Sequence, residues 1–396
     1  MIYRDFKGKK LSFLGFGAMR FPTVKVDGES RVDMALTEQM IDEAIASGVN
    51  YFDTAWPYHG GESERILGKL LAKYPREGYY LADKFPGHQI MESYDVAGIF
   101  EEQLRRLNTD YIDFYLLHNV YDKSMETYLD PKHGILDYLL EQKRQGRIKH
   151  LGFSAHADVE GLKKFLDIAG EHMEFCQIQL NYLDWTLQRA GEKCELLNSY
   201  GIPIWVMEPV RGGKLANLPE AAEAKLRTVA KSGSAASFCF RFLMDVPGVT
   251  VVLSGMSNLQ QVRDNLGTCE REAPLSAEER KLLFEFAEGM KNSVPCTHCG
   301  YCKEGCPKGL DIPALISVYN EVSFSDSVNS AMRVEFLPEE KKPTACIACG
   351  KCTRICPQNI DIPKTLSALT ARLGEIPSWR DICKRRDEEQ KKNAEK

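Results

Sequence analysis

The sequence lacks the features that would place the chain in a membrane, in a secretory pathway or on nucleic acid. No apolar run reaches the roughly 18–20 residues that a membrane span needs, and the first residues lack a signal-peptide apolar core. Basic residues are not in excess, since 51 Lys and Arg face 56 Asp and Glu and leave a net charge of −5. That balance disfavours nucleic acid or an anionic membrane as a partner. We therefore expect a cytoplasmic protein without either partner.

The Rossmann nucleotide-binding fingerprint is also missing, because no Gly-x-Gly-x-x-Gly follows the first predicted strand. Cysteine, by contrast, is abundant, with 13 residues in a chain of 396. A disulfide framework is not expected in the cytoplasm. Most of these cysteines lie in one segment near the C-terminal end, between Cys296 and Cys356. Their concentration there predicts a metal site.

The segment contains one cysteine motif twice, Cys-x2-Cys-x2-Cys-x3-Cys-Pro. Three cysteines at two-residue gaps wrap one cuboidal cluster, and the fourth, before proline, reaches the other cluster. We therefore predict two [4Fe–4S] clusters with crossed ligation. The first set is Cys296, Cys299, Cys302 and Cys356, and the second is Cys346, Cys349, Cys352 and Cys306.

This segment resembles the two-cluster bacterial-type ferredoxin domain. A helix-like stretch at Ile312–Val322 between the motifs suits the helical variety of that domain. A pair of structural zinc sites is the alternative, although zinc ribbons do not need a fourth Cys before Pro. We place the ferredoxin-like domain at residues 289–383 and a charged tail at 384–396. The remaining cysteines, which show no metal spacing, are Cys176, Cys194, Cys239, Cys269 and Cys383.

Upstream, short β-branched and aromatic runs alternate with amphipathic patterns. The predicted strands are Leu11–Phe16, Asn50–Thr54, Tyr79–Lys84, Tyr111–His118, His150–Ser154, Phe175–Leu180, Ile204–Met207 and Val249–Leu253. The predicted helices are Glu38–Ser47, Glu62–Ala72, Val96–Leu107, Leu136–Gln145, Val159–Ile168, Leu187–Tyr200 and Ala235–Met244. This alternation predicts the α/β class and a parallel (β/α)8 TIM barrel, which we place at residues 1–288.

Chemistry in such a barrel lies at the carboxyl ends of the strands. Asp53, Lys84 and His118 lie at the ends of three successive predicted strands, and Tyr58 follows the first of them. The motifs around them resemble the aldo-keto reductase family. They are Asp53-Thr54-Ala55-x-x-Tyr58-x-x-Gly61-x-Ser63-Glu64-x-x-Leu67-Gly68, Asp113-x-Tyr115-Leu116-Leu117-His118 and Gly146-Arg147-Ile148-Lys149-x-x-Gly152-Phe153-Ser154. The resemblance extends over most of the predicted barrel.

The resemblance implies an oxidoreductase that interconverts a small carbonyl compound and its alcohol by hydride transfer from a nicotinamide. Tyr58 would be the general acid, and the Lys84 ammonium would lower its pKa. Asp53 would hold Lys84, and His118 would hydrogen-bond the carbonyl oxygen.

The resemblance also implies NADP or NAD along the later strand ends. The implied contacts are Met19, Arg20, Ser154, Gln177, Arg211, Gly212, Gly213, Lys214, Ser254, Gly255, Met256, Asn258, Gln261 and Asn265. Two departures matter. Ser154-Ala155-His156 stands where the family commonly has Ser-Asn. Gln261 stands where many NADPH-preferring members have Arg, and Gln cannot pair bidentately with a 2′-phosphate. NADH therefore stays open.

The two predicted parts exchange electrons in different numbers, since a hydride carries two and an iron–sulfur cluster passes one. A flavin could convert between them, but no specific flavin motif is present. Three interpretations remain open. The clusters link the barrel to an external ferredoxin or flavoprotein; the clusters are structural or redox-sensing; or the chain is an electron-transfer or assembly subunit without turnover in the barrel. The intact set Asp53, Tyr58, Lys84 and His118 weighs against the third.

Overall fold

The computed structural model describes residues 1–26, 28–89, 92–157, 159–229, 233–290, 293–324, 331, 334–378 and 380–381. The chain divides into two compact units, Met1–Phe284 and Glu285–Lys396. The predicted tail at 384–396 and Cys383 lie outside the described residues. In the ranges above, no helix combines the length and the apolar character that crossing a membrane requires.

The first unit contains a closed barrel of eight parallel strands, which confirms the predicted (β/α)8 fold. The strands of this unit are β1 (Tyr3–Phe6), β2 (Lys9–Ser12), β3 (Leu14–Gly17), β4 (Thr23–Val26), β5 (Glu29–Val32), β6 (Tyr51–Asp53), β7 (Tyr80–Phe85), β8 (Ile112–Val120), β9 (Ile148–Ala155), β10 (Cys176–Gln179), β11 (Ile204–Met207) and β12 (Val249–Ser254). The barrel order is β3-β6-β7-β8-β9-β10-β11-β12, closed by β12 against β3. The pairs β1–β2 and β4–β5 form separate antiparallel hairpins.

Helices follow the barrel strands and continue into the second unit. Those of the first part of the chain are α1 (Met34–Ala46), α2 (Ser63–Leu71), α3 (Val96–Leu107), α4 (Asp122–Leu129), α5 (Ile135–Arg144), α6 (Val159–Ala169), α7 (Asp184–Leu187), α8 (Ala190–Ser199), α9 (Glu220–Val229), α10 (Ala235–Met244), α11 (Leu259–Thr268) and α12 (Ala277–Met290). Those that follow are α13 (Tyr301–Glu304), α14 (Ile312–Phe324), α15 (Lys351–Ile355) and α16 (Ile362–Glu375).

Two elements that the sequence predicts as continuous are interrupted in the structure. The predicted strand Leu11–Phe16 is two strands, because the chain leaves the β1–β2 hairpin at Phe13 and enters the barrel. The predicted helix Leu187–Tyr200 is interrupted at Arg189, whose φ of 52° lies in the left-handed region. A left-handed residue cannot continue a right-handed helix, so α7 ends and α8 begins there.

The β1–β2 hairpin closes the amino end of the barrel. Phe6 packs edge-on against Trp205, with ring centres 5.1 Å apart, and lies 5.5 Å from Phe114. Tyr51 and Phe175 belong to the same buried cluster. These aromatic residues lie at or near the first residues of their strands, so the cluster fills the amino end. The opposite end, where the strand carboxyl termini meet, is therefore the one that can hold a ligand.

The second unit repeats a short helix followed by a longer one, α13–α14 and then α15–α16. Asp361 caps α16 by accepting a hydrogen bond from the Lys364 amide, and Asp311 accepts one from the Ala314 amide at the start of α14. The two long helices pack together around a core that contains Ile312, Ile316 and Leu366. Asp311-Ile312-Pro313 and Asp361-Ile362-Pro363 thus begin helices, with Asp as the cap and Pro in the first turn.

Candidate active site and cluster sites

Asp53, Tyr58, Lys84 and His118 lie together at the carboxyl end of the barrel. The Lys84 ammonium donates to Asp53 Oδ1 and to the Thr54 carbonyl, each at 2.6 Å. Lys84 Nζ lies 5.1 Å from the centre of the Tyr58 ring. The Tyr58 and His118 rings are nearly perpendicular, with centres 6.0 Å apart. The site at this end of the barrel is therefore formed by side chains from β6, β7, β8 and the loop after β6.

The loop that carries Tyr58 is held by hydrogen bonds from the residues of the Asp53–Gly68 motif. Ser63 Oγ donates to the Ala18 carbonyl at 3.0 Å and lies 2.9 Å from Thr54 Oγ1. A Cβ on Gly68 would lie 2.5 Å from the Arg106 carbonyl oxygen. Only glycine therefore allows α2 to lie this close to the end of α3. These motif residues position the Tyr58 loop.

The pKa of Tyr58 differs from the sequence expectation. Burial, and next the negative charges of Asp53, Asp83 and Glu208, hold its pKa well above the usual value, and Arg20 lowers it by less. The predicted lowering by Lys84 is thus wrong for the site without a nucleotide. The physical reason is the burial of the phenol, to which the carboxylates of Asp53, Asp83 and Glu208 add. A raised pKa keeps the phenol protonated at neutral pH.

His118 is a neutral hydrogen-bonding group in this site. Burial, and then the nearby His88, Lys84 and His156, hold its pKa well below the usual range. His118 Nδ1 is buried and has no hydrogen-bond partner among the described residues. The His88 ring centre lies 4.3 Å from that of His118, and burial lowers the pKa of His88 to about 4. The imidazoles of His88, His118 and His156 are therefore close enough to interact, and each is neutral at pH 7.

A second layer of polar groups fixes the β7 strand that carries Lys84. Gln103 Nε2 donates to Asp83 Oδ2 at 2.9 Å, to Glu64 Oε1 at 3.1 Å and to the Lys84 carbonyl at 3.1 Å. Arg106 donates to Glu64 Oε2 at 2.7 Å. Burial and the adjacent Glu64 carboxyl hold the pKa of Asp83 well above its usual value. The fully buried network ties α2, α3 and β7 together beneath the site.

The loop after β11 turns through left-handed backbone. Glu208, Arg211, Gly212 and Gly213 all have positive φ, between 49° and 90°. Within the loop, the amides of Arg211 and Gly213 donate to the carbonyls of Glu208 and Val210, each at 3.1 Å. Lys214 follows directly and bonds through its amide to the Arg211 carbonyl at 3.1 Å.

Arg211 lies fully buried beside this loop. Its Nε donates to both carboxylate oxygens of Asp184, at 3.2 and 3.1 Å. Both Nη atoms are buried and have no hydrogen-bond partner among the described residues. Asp184 also accepts from Gln179 and Asn181, at 2.8 and 2.7 Å. Because leaving buried donors unsatisfied is costly, the guanidinium fits an anion that is absent from this structure.

Two of the predicted nucleotide contacts, Ser154 on β9 and Gln177 on β10, are paired in register. Gln177 Oε1 is buried and unpartnered among the described residues, and its Nε2 lies 3.7 Å from Met207 Sδ. Ser154 Oγ instead accepts the Asn119 amide at 2.7 Å. Gln177 therefore has a free acceptor for a carboxamide, whereas the Ser154 oxygen already has a partner.

The loops after β3, β11 and β12 meet on the same side of the barrel. Met19 and Arg20 lie in a short 3-10 helix, where Arg20 Nη2 is 3.8 Å from Glu208 Oε1. Ser257 Oγ donates to the Arg20 carbonyl at 2.9 Å. A Cβ on Gly255 would lie 3.1 Å from the Arg20 side chain. The structure thus brings together the first and last of the predicted nucleotide contacts.

The start of α11 is held by the remaining predicted contacts. Asn258 caps the helix by accepting the Gln261 amide at 2.9 Å, and Gln261 Oε1 accepts the Ser257 amide at 2.8 Å. Asn265 donates to Ser254 Oγ at 2.9 Å, and Met256 is buried. Arg263, the nearest cation in sequence, pairs with Glu43 at 2.7 Å.

The motif cysteines surround two separate cavities in the second unit. Cys296, Cys299, Cys302 and Cys356 line one cavity. Burial and the neighbouring thiols of the other three raise the pKa of Cys302 to about 12. The fourth cysteine of the second motif thus lies with the first motif, which is the crossed grouping that the spacing predicts.

Cys306, Cys346, Cys349 and Cys352 line the other cavity. The Ala348 amide points at Cys346 Sγ, 3.4 Å away. Ala348 and His298 occupy equivalent left-handed positions in the two loops. Within the described part of the chain, no group of three or more His, Cys, Asp or Glu side chains converges as ligands of a single ion. Thiols around a space suit a cuboidal cluster better than one zinc ion.

Sequence reasoning missed Asp184, which holds Arg211, and His88, which lies against His118. It also missed the network of Asp83, Glu64 and Gln103. His88 follows the end of β7 by three residues, so its place after a strand end was a usable signal. Asp184 carried no comparable signal, because its contact with Arg211 crosses between two loops.

Comparison with known families agrees with this geometry. The Aldo/keto reductase family matches residues 13–288, and the 4Fe-4S dicluster domain matches residues 295–360.

Similar proteins of known name cover the barrel part of the chain. An NADH-specific methylglyoxal reductase of Escherichia coli is 26% identical over 303 residues, which are 66% of this chain and 90% of that protein. L-galactose dehydrogenase of Arabidopsis thaliana is 27% identical over 313 residues, 72% of this chain and 93% of its own. The solved holo form of aldo-keto reductase AKR11C1 from Bacillus halodurans is 28% identical, with a TM-score of 0.58, over 72% of this chain and 96% of that one.

The family match covers well over half of the chain, and it coincides with the closed barrel whose strand ends gather Asp53, Tyr58, Lys84 and His118. The chain is therefore an oxidoreductase of the aldo/keto reductase family, with a 4Fe-4S dicluster domain after its barrel.

Proposed function

We propose that the barrel interconverts a small carbonyl compound and its alcohol with NAD(P)H, and that Tyr58 is the general acid. The Lys84–Asp53 contact of 2.6 Å beside Tyr58 and His118, at the carboxyl end of the barrel, carries this proposal. A buried ammonium that is paired and aimed at a phenol is an arrangement that packing alone does not require.

The bound nicotinamide would supply the hydride to the carbonyl carbon. As negative charge grows on the carbonyl oxygen, Tyr58 donates its phenolic proton. The Lys84 ammonium stabilises the phenolate that forms, and Asp53 keeps the ammonium in place. His118 donates a hydrogen bond to the same oxygen, as a neutral imidazole. In the oxidative direction the phenolate takes the proton from the alcohol.

The residues present fit a nicotinamide nucleotide. The unpartnered Gln177 Oε1 would accept from the carboxamide. The Arg211 guanidinium, whose Nη donors have no partner among the described residues, would hold the pyrophosphate. Asp184 would keep the guanidinium oriented before the nucleotide arrives.

NADH should be accepted at least as well as NADPH. Gln261 is neutral and already bonded to the Ser257 amide, and Arg263 is paired with Glu43. Neither Gln261 nor Arg263 is therefore placed to donate two parallel hydrogen bonds to a 2′-phosphate. This proposal agrees with the name of the NADH-specific relative, which belongs to that protein.

Gln261→Arg should lower KM for NADPH by about tenfold, because a charge-assisted pair with a 2′-phosphate contributes on the order of 1.5–3 kcal/mol. The kcat values and KM for NADH should change little, since Gln261 is remote from the transferred hydride. Steady-state kinetics with both nucleotides measures this, with Gln260→Arg as the neighbouring control. Equal effects of the two variants would place the adenosine ribose elsewhere.

The substrate pocket favours a small, oxygen-rich carbonyl compound. His88, His118 and His156 lie close enough to affect one another's pKa and are neutral, so they offer hydrogen bonds without charge. The printed name of the Escherichia coli relative, a methylglyoxal reductase, supports a small ketoaldehyde as the first compound to test.

We further propose that the second unit holds two [4Fe–4S] clusters that pass electrons one at a time. The cysteine Cys349 is exposed at one of the two cavities, which suits electron exchange with a carrier more than a purely structural role. A flavin bound by a partner could join one-electron and two-electron steps.

Anaerobically prepared holoprotein tests both parts of the proposal. NADH should show quenched or shifted fluorescence on binding, and methylglyoxal should drive its oxidation. Cluster absorbance should bleach with NADH when free flavin is added, with a matching EPR signal. Failure to bind either nucleotide would instead favour an electron-transfer or assembly subunit.

A further inference from the structure

The two cysteine repeats differ in the side chains beside their clusters. At equivalent positions, Thr297 in the first loop is replaced by Ile347 in the second. Beyond the third cysteine, Glu304 and Gly305 are replaced by Arg354 and Ile355. The repeats share one backbone pattern, so cluster binding does not require these substitutions. The second repeat therefore carries apolar and basic residues for another reason.

The apolar residues of the second repeat face solvent. Ile347 is 57% exposed and Ile355 is 49% exposed, and the ligand candidate Cys349 between them in sequence is also exposed. When a partner protein covers such exposed β-branched side chains, the burial of their apolar surface stabilises the complex. Exposed apolar groups beside a redox centre suit a transient protein interface.

Basic residues predominate around this site, next to the acidic pair Glu339 and Glu340. The segments 306–309 and 341–355 contain five basic residues, Lys308, Lys341, Lys342, Lys351 and Arg354, and no acidic one. The chain as a whole carries a net charge of −5. Among the described residues, Lys351 and Arg354 form no ion pair, whereas Lys342 pairs with Glu339 at the edge of the segment. The local charge of this region is thus positive although the whole chain is negatively charged, and it would attract an acidic protein surface.

We infer that this face, formed by Ile347, Cys349, Lys351, Arg354 and Ile355, is the docking site of a small acidic one-electron carrier protein. The inference rests on the proposed electron-transfer role of the clusters. In each encounter the reduced carrier gives one electron to the oxidised cluster at Cys306, Cys346, Cys349 and Cys352, and leaves oxidised. The cluster gains that electron, and no proton or group is transferred. The cluster at the other cavity then receives electrons through the second one.

The test replaces the second repeat's residues with those of the first. Arg354→Glu/Ile355→Gly introduces residues that the first repeat carries at the same positions, and neither side chain lines the cluster cavity. Arg227→Glu/Val229→Gly on α9 makes the same change of charge and apolar area on the barrel, where both residues are exposed. Iron content and the EPR signal after dithionite reduction check that both proteins hold their clusters.

The probe is a plant-type [2Fe–2S] ferredoxin, an acidic carrier, mixed with the holoprotein at low ionic strength. Titration calorimetry should show binding that the Arg354→Glu/Ile355→Gly variant weakens by about tenfold, since reversing a central charge and removing an apolar contact together cost on the order of 1.4 kcal/mol. Stopped-flow cluster reduction by the reduced ferredoxin should slow by a similar factor. Raising the salt to 0.5 M should weaken the wild-type complex and reduce the difference, in a range where the Debye length is only a few Å.

Equal binding by the two variants would overturn the docking site. So would a wild-type protein that neither binds nor is reduced by the ferredoxin while dithionite reduces its clusters. Bleaching of the clusters by NADH and flavin in that case would leave the proposed electron-transfer role standing, so the two failures can be told apart.

Discussion

Tyr58→Phe is expected to abolish carbonyl reduction while NADH still binds. The variant keeps the ring that packs against His118 and removes the only proton that the proposed reaction transfers to the carbonyl oxygen. A positioned proton donor contributes roughly 10²- to 10⁴-fold in rate, so kcat with methylglyoxal should fall by at least that range. Steady-state kinetics and nucleotide fluorescence titration measure the two quantities separately.

Tyr138→Phe is the matched control, because it removes a hydroxyl from α5, outside the site. It should leave both kcat and nucleotide binding close to wild type. If the Tyr58 variant keeps a comparable kcat, proton donation comes from another group, and the neutral His118 becomes the first alternative to test. If it loses nucleotide binding as well, the loss of activity reports a damaged site and not a missing acid.

Cys356→Ser is expected to remove the cluster of the first motif and leave that of its own motif. Cys356 lines the cavity of Cys296, Cys299 and Cys302, so its loss takes one of four thiolates from that cluster. Iron should fall from about eight to about four atoms per chain, because each cuboidal cluster contains four. Iron analysis and EPR of the dithionite-reduced protein measure this.

Double variants distinguish crossed from uncrossed ligation. Cys356→Ser/Cys299→Ser should lose no more iron than the single variant, since both residues line one cavity. Cys356→Ser/Cys349→Ser should lose nearly all iron, since Cys349 lines the other. The reverse pattern would mean that each motif holds its own cluster. Cys194→Ser, a cysteine outside both cavities, should keep its iron.

The candidate catalytic group could be predicted because a parallel barrel brings strand ends together. Asp53, Lys84 and His118 lie on β6, β7 and β8, which are neighbours both in the chain and in the barrel. Each of these residues could be assigned to a strand end because it lies where a predicted apolar strand ends in the sequence. The direction of the Tyr58 pKa could not be predicted, because it depends on the burial of the phenol and on the carboxylates that the fold places near it.

Errors in secondary structure arose where a local pattern continues across a change of direction. The run Leu11–Phe16 is mainly apolar, yet Ser12 ends the hairpin and Leu14 begins the barrel. The break at Arg189 lies within an amphipathic stretch and shows only in its left-handed backbone. Hydrophobic periodicity reports which residues are buried, and not whether the backbone stays continuous.

The sequence by itself determined the barrel, the order of its strand ends and the two cysteine motifs, because each depends on spacing along the chain. The tertiary structure decided which groups meet across loops. Arg211 lies on Asp184, His88 lies against His118, and Cys356 joins the first motif's cavity. It also showed that the second repeat leaves Ile347 and Ile355 exposed to solvent. Such contacts are made between residues distant in sequence, so only the folded chain specifies the distances, the burial and the charges that set their chemistry.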